Sequence, residues 1–263
     1  MLIDAAGNEH QPASQPCRIV SLVPSLTELL FALDLQGELV GRTDFCIEPE
    51  GRVETVPVVG GTKTVDLEKL QALKPTHVLV NIDETPKDVA DQISASGIAV
   101  VVTHPIKPSD NLVLFGLFGG LFRRQQPAAK LSADLQGELM AGGNWPRRKV
   151  LYLIWKRPWM TISRDTYIAE MLNLFGMQTL CHDPDKRYPE VTIDAGLLAE
   201  ADLILFSTEP FPFARKHREA FARDFNIGAA PKLLSIDGKM VSWYGSRAAE
   251  GLRYLRDFTS QLK

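Results

Sequence analysis

The sequence predicts an α/β protein with two similar lobes, each a parallel β-sheet flanked by helices. Strand and helix patterns alternate in both halves of the 263-residue chain, as parallel sheets require. Residues 66–80 also match residues 192–206 without a gap, 126 positions apart, and each copy runs from a capping residue through a short helix to an apolar strand. A helical stretch separates the halves. A unit built twice predicts two lobes with a cleft, and therefore ligand capture.

The first half begins with a small hairpin of residues 2–4 and 9–10. Residues 18–23 are mostly apolar and predict a buried strand that ends at Pro24. Ser25 and Glu28 have the spacing of a capping box before a helix at 29–35. The other predicted elements of this half are a strand at 39–41, a helix after Asp66, a strand at 78–82, a helix at 87–96 ended by Gly97, and a strand at 98–103.

The second half repeats this order. It comprises a strand at 149–154, a helix at 166–175 stopped by Gly176, a capped helix after Thr192, a strand at 204–206, a helix at 214–225, a strand at 233–236 and a last helix at 247–262. Helical segments at 109–122 and 127–140 lie between the halves. We therefore predict an N-terminal lobe at 1–107, a helical connector at 108–145 that permits only a small hinge motion, and a C-terminal lobe at 146–263.

Composition excludes several classes of protein. Hydrophobic residues make up 45% and charged residues 23%, which is typical of a globular protein. With 29 basic and 32 acidic residues, the chain has no basic field for nucleic acid. Cys17, Cys46 and Cys181 lack both zinc-site spacing and disulfide density. Residues 1–16 lack a signal-peptide pattern, which predicts either a cytoplasmic protein or an upstream segment outside this numbering.

Candidate site residues follow the strands, because ligands of open parallel sheets bind at the carboxyl ends of strands. The candidates in the first half are Pro24, Ser25, Phe45, Cys46, Thr62, Lys63 and Glu84. Those in the second half are Trp155, Trp159, Arg187, Tyr188, Trp243, Tyr244 and Arg247. The aromatic residues predict flat binding walls, and the alternative is that each ring folds onto its own lobe.

Two readings remain open for the polar candidates. Residues 60–63 predict an anion cradle or, more simply, a turn into the next helix, since nucleotide-loop spacing is missing. The cations Lys63, Arg187 and Arg247 predict pairs with a ligand carboxylate or phosphate, or else solvated rim charges. Cys46 and His104 are weak metal candidates, and Cys46 also suits a small buried position. We predict no catalytic residue, since no nucleophile elbow occurs.

Glu68 and Asp194 each lie two positions after a predicted cap. Acids in the first turn of a helix are stabilised by the helix dipole, which explains both without any function. The alternative is that they are two equivalent docking points, one per lobe, for a partner with basic sites.

Several segments together resemble one known family. These are RIVSLVPSLTE at 18–28, GGTK at 60–63 and LEKLQALKP at 67–75, which are similar to the helical-backbone substrate-binding proteins of ABC importers. The segments WKRPW at 155–159, RYPE at 187–190 and SWYGSR at 242–247 resemble its cobalamin-binding-like branch. The likeness covers nearly the whole chain. Relatives with the Phe-Cys-Ile segment often carry histidine where Glu48 stands here.

The resemblance implies two parallel-sheet lobes joined by a helix, with a ligand such as cobalamin, haem or a ferric siderophore held between them and no built-in cofactor. It implies that Glu68 and Asp194 meet arginines of an ABC permease, and that the protein works in the periplasm or otherwise outside the cytoplasm. We expect a monomer.

Three hypotheses about function follow. The first is a non-enzymatic receptor for a corrinoid or other metal chelate, held by Trp155, Trp159, Tyr188, Trp243 and Tyr244. The second is a cytosolic enzyme or chelate-handling protein of the same fold that acts on a metallo-tetrapyrrole through Cys46, Glu84 or His104. The third is a cytosolic interaction protein whose cleft has lost its ligand.

Overall fold

The computed structural model describes residues 1–14, 16–180 and 183–262, so Cys181 lies outside the described residues. The chain divides into two compact units. Unit 1 comprises Met1–Pro105, Ser109–Gly137 and Tyr244–Arg247, and unit 2 comprises Ile106–Pro108, Glu138–Trp243 and the residues from Ala248 onward. Among the described residues, every helix is too short or too polar to cross a lipid bilayer.

Unit 1 contains a parallel sheet in the order β4-β3-β5-β6. Its elements are the hairpin β1 (Leu2–Ile3) and β2 (Glu9–His10), β3 (Ile19–Ser21), α1 (Pro24–Ala32), β4 (Leu39–Arg42), α2 (Leu67–Ala72), β5 (His77–Asn81), α3 (Lys87–Ala95), β6 (Ala99–Thr103), α4 (Asp110–Leu121) and most of α5 (Gln125–Met140). Every residue of β3 and β5 is buried, as expected of parallel strands covered on both faces. The core includes Val20, Leu70, Val78 and Ile93, from two strands and two helices.

Unit 2 contains a second parallel sheet, in the order β8-β7-β9-β10. Its elements are β7 (Arg148–Leu153), α6 (Tyr167–Asn173), β8 (Met177–Thr179), α7 (Ala195–Glu200), β9 (Leu203–Ser207), α8 (Arg215–Asp224), β10 (Lys232–Ile236), α9 (Gly238–Ser242) and α10 (Ala248–Ser260). The two parallel sheets have the same strand order. In each sheet, the strand that comes first in the chain (β3 or β7) pairs with the second strand on one side and with the third on the other, and the fourth strand pairs with the third. This shared topology confirms the predicted α/β class.

The strands of the repeat match at the predicted offset, whereas the helices before them do not. Strand β5 begins at His77 and β9 at Leu203, which are 126 positions apart. The prediction that Thr192 caps α7 is wrong, since the N-cap is Asp194, whose carboxylate accepts a hydrogen bond of 2.8 Å from the amide of Leu197. Asp194 therefore has the role that Asp66 has in unit 1.

The predicted capping box at Ser25 is also wrong. Helix α1 begins at Pro24, with Val23 as its N-cap and no side-chain bond to the cap. Proline suits the first helical position because its φ angle is already helical and the amide hydrogen that it lacks would have no partner there. Ser25 therefore lies inside the first turn, where it is buried.

Two short elements had no prediction. Strand β8 has three residues and pairs with Arg148, Lys149 and Val150 of β7. Helix α9 has five residues and starts at a glycine, and Asp237 caps it by accepting hydrogen bonds from the amides of Lys239 and Met240. Both elements are too short for periodicity to reveal them.

Candidate functional site

The carboxyl edge of the unit 1 sheet displays apolar side chains to solvent. Phe45 and Ile47, which follow β4, are 59% and 51% exposed, and Ile82, which follows β5, is 50% exposed. Phe45 lies beside the turn at Gly61, where a Cβ atom would come within 3.4 Å of the Phe45 ring. Large apolar residues exposed together at strand ends are typical of a ligand-contacting surface.

Residues 60–63 form a turn. Gly60 has a φ of +105°, and a Cβ atom there would collide with the carbonyl oxygen of Thr64. The amides of Gly61 and Thr64 each donate to the other residue's carbonyl oxygen at 3.3 Å. These two amides therefore make hydrogen bonds within the turn and do not point towards a bound anion. Thr62 at its tip is half-buried and Lys63 is exposed, so the geometry favours the simpler of the two predicted readings over an anion cradle.

A buried polar cluster lies beneath this edge and includes Tyr244. The Tyr244 hydroxyl is 3.4 Å from the Thr103 hydroxyl, and the side chain is 6% exposed. Burial raises the pKa of Tyr244 well above its ordinary value, the negative charge of Glu84 adds to that effect, and the neighbouring polar groups of Thr103, Ser25 and Asn81 oppose it. The ring therefore packs inside unit 1, which favours the alternative that this aromatic residue folds onto the protein.

The sulfur and imidazole candidates have partners within unit 1. Cys46 is fully buried, its Sγ atom is 3.1 Å from the Thr43 hydroxyl, and burial raises the pKa of its thiol. His104 Nε2 is 3.5 Å from an Asp83 carboxylate oxygen. Within the described part of the chain, no three His, Cys, Asp or Glu side chains cluster in a way that could hold a metal ion.

Glu84 has the most unusual carboxyl group of this edge. Although part of the side chain remains accessible, burial raises its pKa to about 7, and the charge of Asp83 adds to the effect. At neutral pH the group is therefore close to half protonated. A carboxyl in that state can both donate and accept hydrogen bonds.

We expect stability to fall with pH because of Glu84. The unfolded carboxyl has a pKa near 4.5, so between pH 4.5 and about 7 the folded state binds more protons, and stability is lost as pH rises through this window. The loss is on the order of 3 kcal/mol. Urea unfolding of wild type and Glu84→Gln at pH 5, 6, 7 and 8 measures it. The curves should converge at low pH, with the variant more stable at pH 8, and parallel curves would contradict the assignment.

Arg247 forms an ion pair that sequence reasoning did not anticipate. Its Nε atom donates to Glu28 at 2.7 Å, and an Nη atom lies 3.8 Å from Glu48. All three side chains are between 14% and 20% exposed. The guanidinium of Arg247 therefore lies between two carboxylates of unit 1. This position does not fit a solvated charge at the rim, and the two acids already neutralise the positive charge that a ligand anion would meet. Pro24 is half-buried at the start of the helix that carries Glu28.

In unit 2 the main feature of the carboxyl edge is a hairpin loop after β7. Trp155 and Met160 form an antiparallel bridge, and Met160 also pairs with Glu190. Trp155 is 39% exposed and packs edge-on against Phe211, with ring centroids 5.5 Å apart. The loop thus holds one large aromatic surface at the ends of the strands.

Two other tryptophans of unit 2 are committed to packing or hydrogen bonding. Trp159 is half-buried and packs against the core, with ring centroids 6.1 Å from Phe213 and 5.2 Å from Phe221. Trp243 is 8% exposed and donates its indole N–H to Glu209 at 3.0 Å. Both positions favour the reading in which these rings fold onto their own lobe, and Trp155 is the better candidate for ligand contact.

Arg187 and Tyr188 lie on the segment that pairs with this hairpin. The Arg187 carbonyl accepts from the amide of Ser163 at 2.8 Å. Its guanidinium is 3.8 Å from Asp165, and Tyr188 is half-buried.

The remaining predicted residues, Glu68 and Asp194, are both exposed in or at the first turn of their helices.

Four residues that contact the candidate site residues were not predicted as site residues from the sequence. They are Glu28, Glu48, Glu209 and Phe211. Glu209 and Phe211 were within reach, because their loop follows β9 and was read as a strand end. The pairing of Glu28 and Glu48 with Arg247 left no signal, since it joins residues more than 190 positions apart.

Two parallel-sheet units with exposed apolar rings at their strand ends define a ligand-binding protein. A family model described as periplasmic binding protein matches residues 19–249. The chain belongs to that family, which confirms the resemblance seen in the sequence. It is a substrate-binding protein and not an enzyme, so the enzymatic alternative is set aside.

Relatives of known sequence agree with this membership. The chain is 24% identical over 265 residues to an uncharacterized ABC transporter substrate-binding lipoprotein of Bacillus subtilis (strain 168), covering 97% of this chain and 83% of the relative. It is 21% identical over 201 residues to a vitamin B12-binding protein of Pectobacterium carotovorum subsp. carotovorum (strain PC1), covering 74% and 72%.

Solved structures show the same fold. The periplasmic vitamin B12-binding protein of Vibrio cholerae matches with a TM-score of 0.79 and 17% identity, covering 93% of this chain and 96% of that one. The apo form of a periplasmic heme-binding protein from Roseiflexus sp. RS-1 matches with a TM-score of 0.76 and 20% identity, covering 94% and 99%.

Proposed function

We propose that this protein captures a corrinoid or related metal chelate and delivers it to an ABC permease outside the cytoplasmic membrane. The observation that carries the proposal is the exposure of Phe45, Ile47, Ile82 and Trp155 at strand ends. Those side chains suit the apolar face of a large planar macrocycle. The Pectobacterium relative is named for binding vitamin B12, which supports this ligand class. The Bacillus relative is named as a substrate-binding lipoprotein of an ABC transporter, which supports the proposed location and partner.

The proposed binding residues divide by exposure. Phe45 and Trp155 contact the ligand, supported by Ile47 and Ile82. Tyr244 and Trp243 are buried, so neither is assigned a direct contact with the ligand. Burying an aromatic side chain is worth about 1.5–3 kcal/mol. Phe45 and Trp155 together therefore supply a substantial part of the affinity for a chelate.

Titration of tryptophan fluorescence with cyanocobalamin, haemin and a ferric siderophore tests the proposal. All four tryptophans lie in unit 2, and Trp155 is 39% exposed. We expect saturable quenching by at least one chelate, a smaller signal in Trp155→Phe, and an unchanged signal in Trp145→Phe. A ligand at 100 times its Kd should also raise stability by about 2.7 kcal/mol.

Matched variants give the test a control. Phe45→Ala should lower the affinity for the chelate that binds wild type by about tenfold or more, because a large apolar contact is lost. Leu174→Ala removes a side chain that is 48% exposed beside the amino end of β8, and it should leave affinity unchanged. Absence of any response or stabilisation by all three chelates would reject this ligand class and favour an interaction protein without a ligand.

Delivery requires a docking surface, for which we propose Glu68 and Asp194. Both acids are exposed at helix starts, one in each unit. Asp194 already accepts one hydrogen bond as a helix cap, and its carboxylate keeps acceptor positions for an arginine of a permease.

A further inference from the structure

Glu84 lies in a hydrogen-bonded turn at the end of β5. The Asn81 carbonyl, at the last residue of that strand, accepts from the amide of Glu84 at 3.2 Å and from that of Thr85 at 2.9 Å. The side-chain oxygen of Asn81 accepts from the amide of Asp83 at 2.8 Å. These three bonds hold Glu84 at the carboxyl end of a strand that has neighbours on both sides in the unit 1 sheet.

The carboxyl group of Glu84 is not used by the protein around it. Its side chain is half-buried, and the carboxyl makes no hydrogen bond or ion pair with another residue that the structure describes. Burial and the negative charge of Asp83 both favour the neutral form of the group. A neutral carboxyl has one O–H donor and an acceptor oxygen, and both remain available.

Two buried hydroxyls near this turn also have unused hydrogen-bonding capacity. Within the described ranges of the chain, Thr85 Oγ1 and Ser25 Oγ are buried and have no hydrogen-bond partner. Thr85 follows Glu84 in the turn, and Ser25 neighbours the Tyr244 hydroxyl, whose pKa responds to the charge of Glu84 after the larger effect of burial. Buried polar groups normally have partners, so these three groups suit a polar substituent of a ligand.

The same edge carries the exposed apolar side chains proposed to contact the chelate. Ile82, two positions before Glu84, is 50% exposed. Cys46 lies between the exposed residues Phe45 and Ile47, and burial raises the pKa of its thiol, an effect to which the charge of Glu84 adds. A chelate that packs on Phe45 therefore has its peripheral substituents on the edge that carries Glu84.

We propose that the Glu84 carboxyl group donates a hydrogen bond to the captured chelate, and that the acceptor is an uncharged oxygen, the carbonyl of an amide substituent. This inference rests on the proposed capture of a chelate. An amide is complementary because its carbonyl accepts the O–H, and an amide N–H can donate back to the second carboxyl oxygen. A carboxylate substituent is disfavoured because it would meet the charge of Asp83 and of any ionised Glu84. Chelates with amide substituents, such as corrinoids, are therefore preferred over haem.

Affinity measured against pH tests this role of Glu84. Cyanocobalamin and ferrichrome carry amides and have no group that titrates between pH 6 and 8, whereas haemin carries carboxylates. Since the pKa of Glu84 is about 7, about nine-tenths of the carboxyl is protonated at pH 6 and about one-tenth at pH 8. We expect wild type to bind an amide-bearing chelate at full affinity at pH 6 and about tenfold more weakly at pH 8.

Two substitutions separate the hydrogen bond from the charge. Glu84→Gln keeps a donor and an acceptor at every pH, so its affinity should be constant from pH 6 to 8 and should exceed that of wild type at pH 8. Glu84→Met has a similar size and neither polar function, so it should bind about three- to tenfold more weakly than Glu84→Gln at every pH. The control Glu9→Gln makes the same charge change at an exposed position in β2 and should follow the wild-type curve.

Other titratable groups of this edge do not give the same profile. Burial raises the pKa values of Cys46 and Tyr244 above their ordinary values, so both stay neutral between pH 6 and 8. Asp83 and His104, whose side chains are 3.5 Å apart, are present in wild type and in every Glu84 variant, so any proton that they exchange is common to all curves. Urea unfolding at each pH confirms that the variants are folded where affinity is measured.

Four results would overturn the inference while leaving chelate capture intact: a wild-type affinity that is constant with pH, one that rises with pH, a fall that Glu84→Gln retains, or binding of haemin alone. Equal affinities for Glu84→Met and Glu84→Gln would also overturn it, since only the charge would then matter. Failure of wild type to bind any of the three probes at any pH would instead overturn the proposed function, and the inference with it.

Discussion

Replacing Phe221 with alanine is expected to lower the free energy of unfolding of unit 2 by about 3–5 kcal/mol. Phe221 is 1% exposed, and its ring centroid lies 5.2 Å from both Phe206 and Trp159 and 4.6 Å from Phe225. Alanine would leave a cavity that three large rings cannot easily fill. Interiors are close-packed, so lost contacts add to the lost burial.

Urea denaturation followed by tryptophan fluorescence measures this change, because all four tryptophans lie in unit 2. The control is Phe45→Ala, which deletes the same side chain at a position that is 59% exposed. It should change stability by no more than about 0.5 kcal/mol, as is usual for surface substitutions. Equal denaturation midpoints for wild type and Phe221→Ala would show that the aromatic cluster is not the core of unit 2.

Replacing Glu68 with glutamine and Asp194 with asparagine together is expected to abolish chelate uptake and leave chelate affinity within about twofold of wild type, because both acids are exposed and none of the proposed ligand contacts is replaced. Asparagine is the informative substitution at Asp194, since its side-chain oxygen can still accept from the Leu197 amide at the helix start. Alanine would also remove the cap, at a cost of about 0.5–2 kcal/mol.

Uptake is measured in cells that express the cognate permease, with the purified variant assayed for binding in parallel. Glu200→Gln and Asp88→Asn serve as controls, since they remove one exposed charge from a helix of each unit without touching the docking acids. Normal uptake by the Glu68 and Asp194 variant would end the docking proposal. Loss of both uptake and affinity would mean that the acids act on the ligand site instead.

Much of the fold was predictable because its signals are local. Buried parallel strands such as β5 and β9 read as continuous apolar runs, and Gly97 marks the end of α3 with a φ of +79°. Helix starts were less certain. Ser25 and Thr192 have the chemistry of caps, yet Pro24 begins one helix and Asp194 caps the other, because the path of the chain decides which residue meets the free amides.

The site was predictable by position and less so by residue. The rule that ligands bind at strand ends selected loops whose exposed residues include Phe45 and Trp155. The same rule could not tell them from Tyr244 and Trp243, which are buried. An aromatic residue in a loop has the same local sequence whether it faces solvent or the interior. Its exposure depends on which distant side chains pack over it.

The sequence by itself determined the class of protein. Alternating elements, the repeat and the joint motifs are local or periodic features, and they were sufficient for two parallel-sheet units and for the substrate-binding family. The tertiary structure decided which side chains are free to act. It paired Arg247 with Glu28, buried Tyr244 in unit 1, and placed Lys156 over the ring of Phe211. These contacts join residues far apart in the chain, and their energies depend on burial and distance, which exist only in the folded protein.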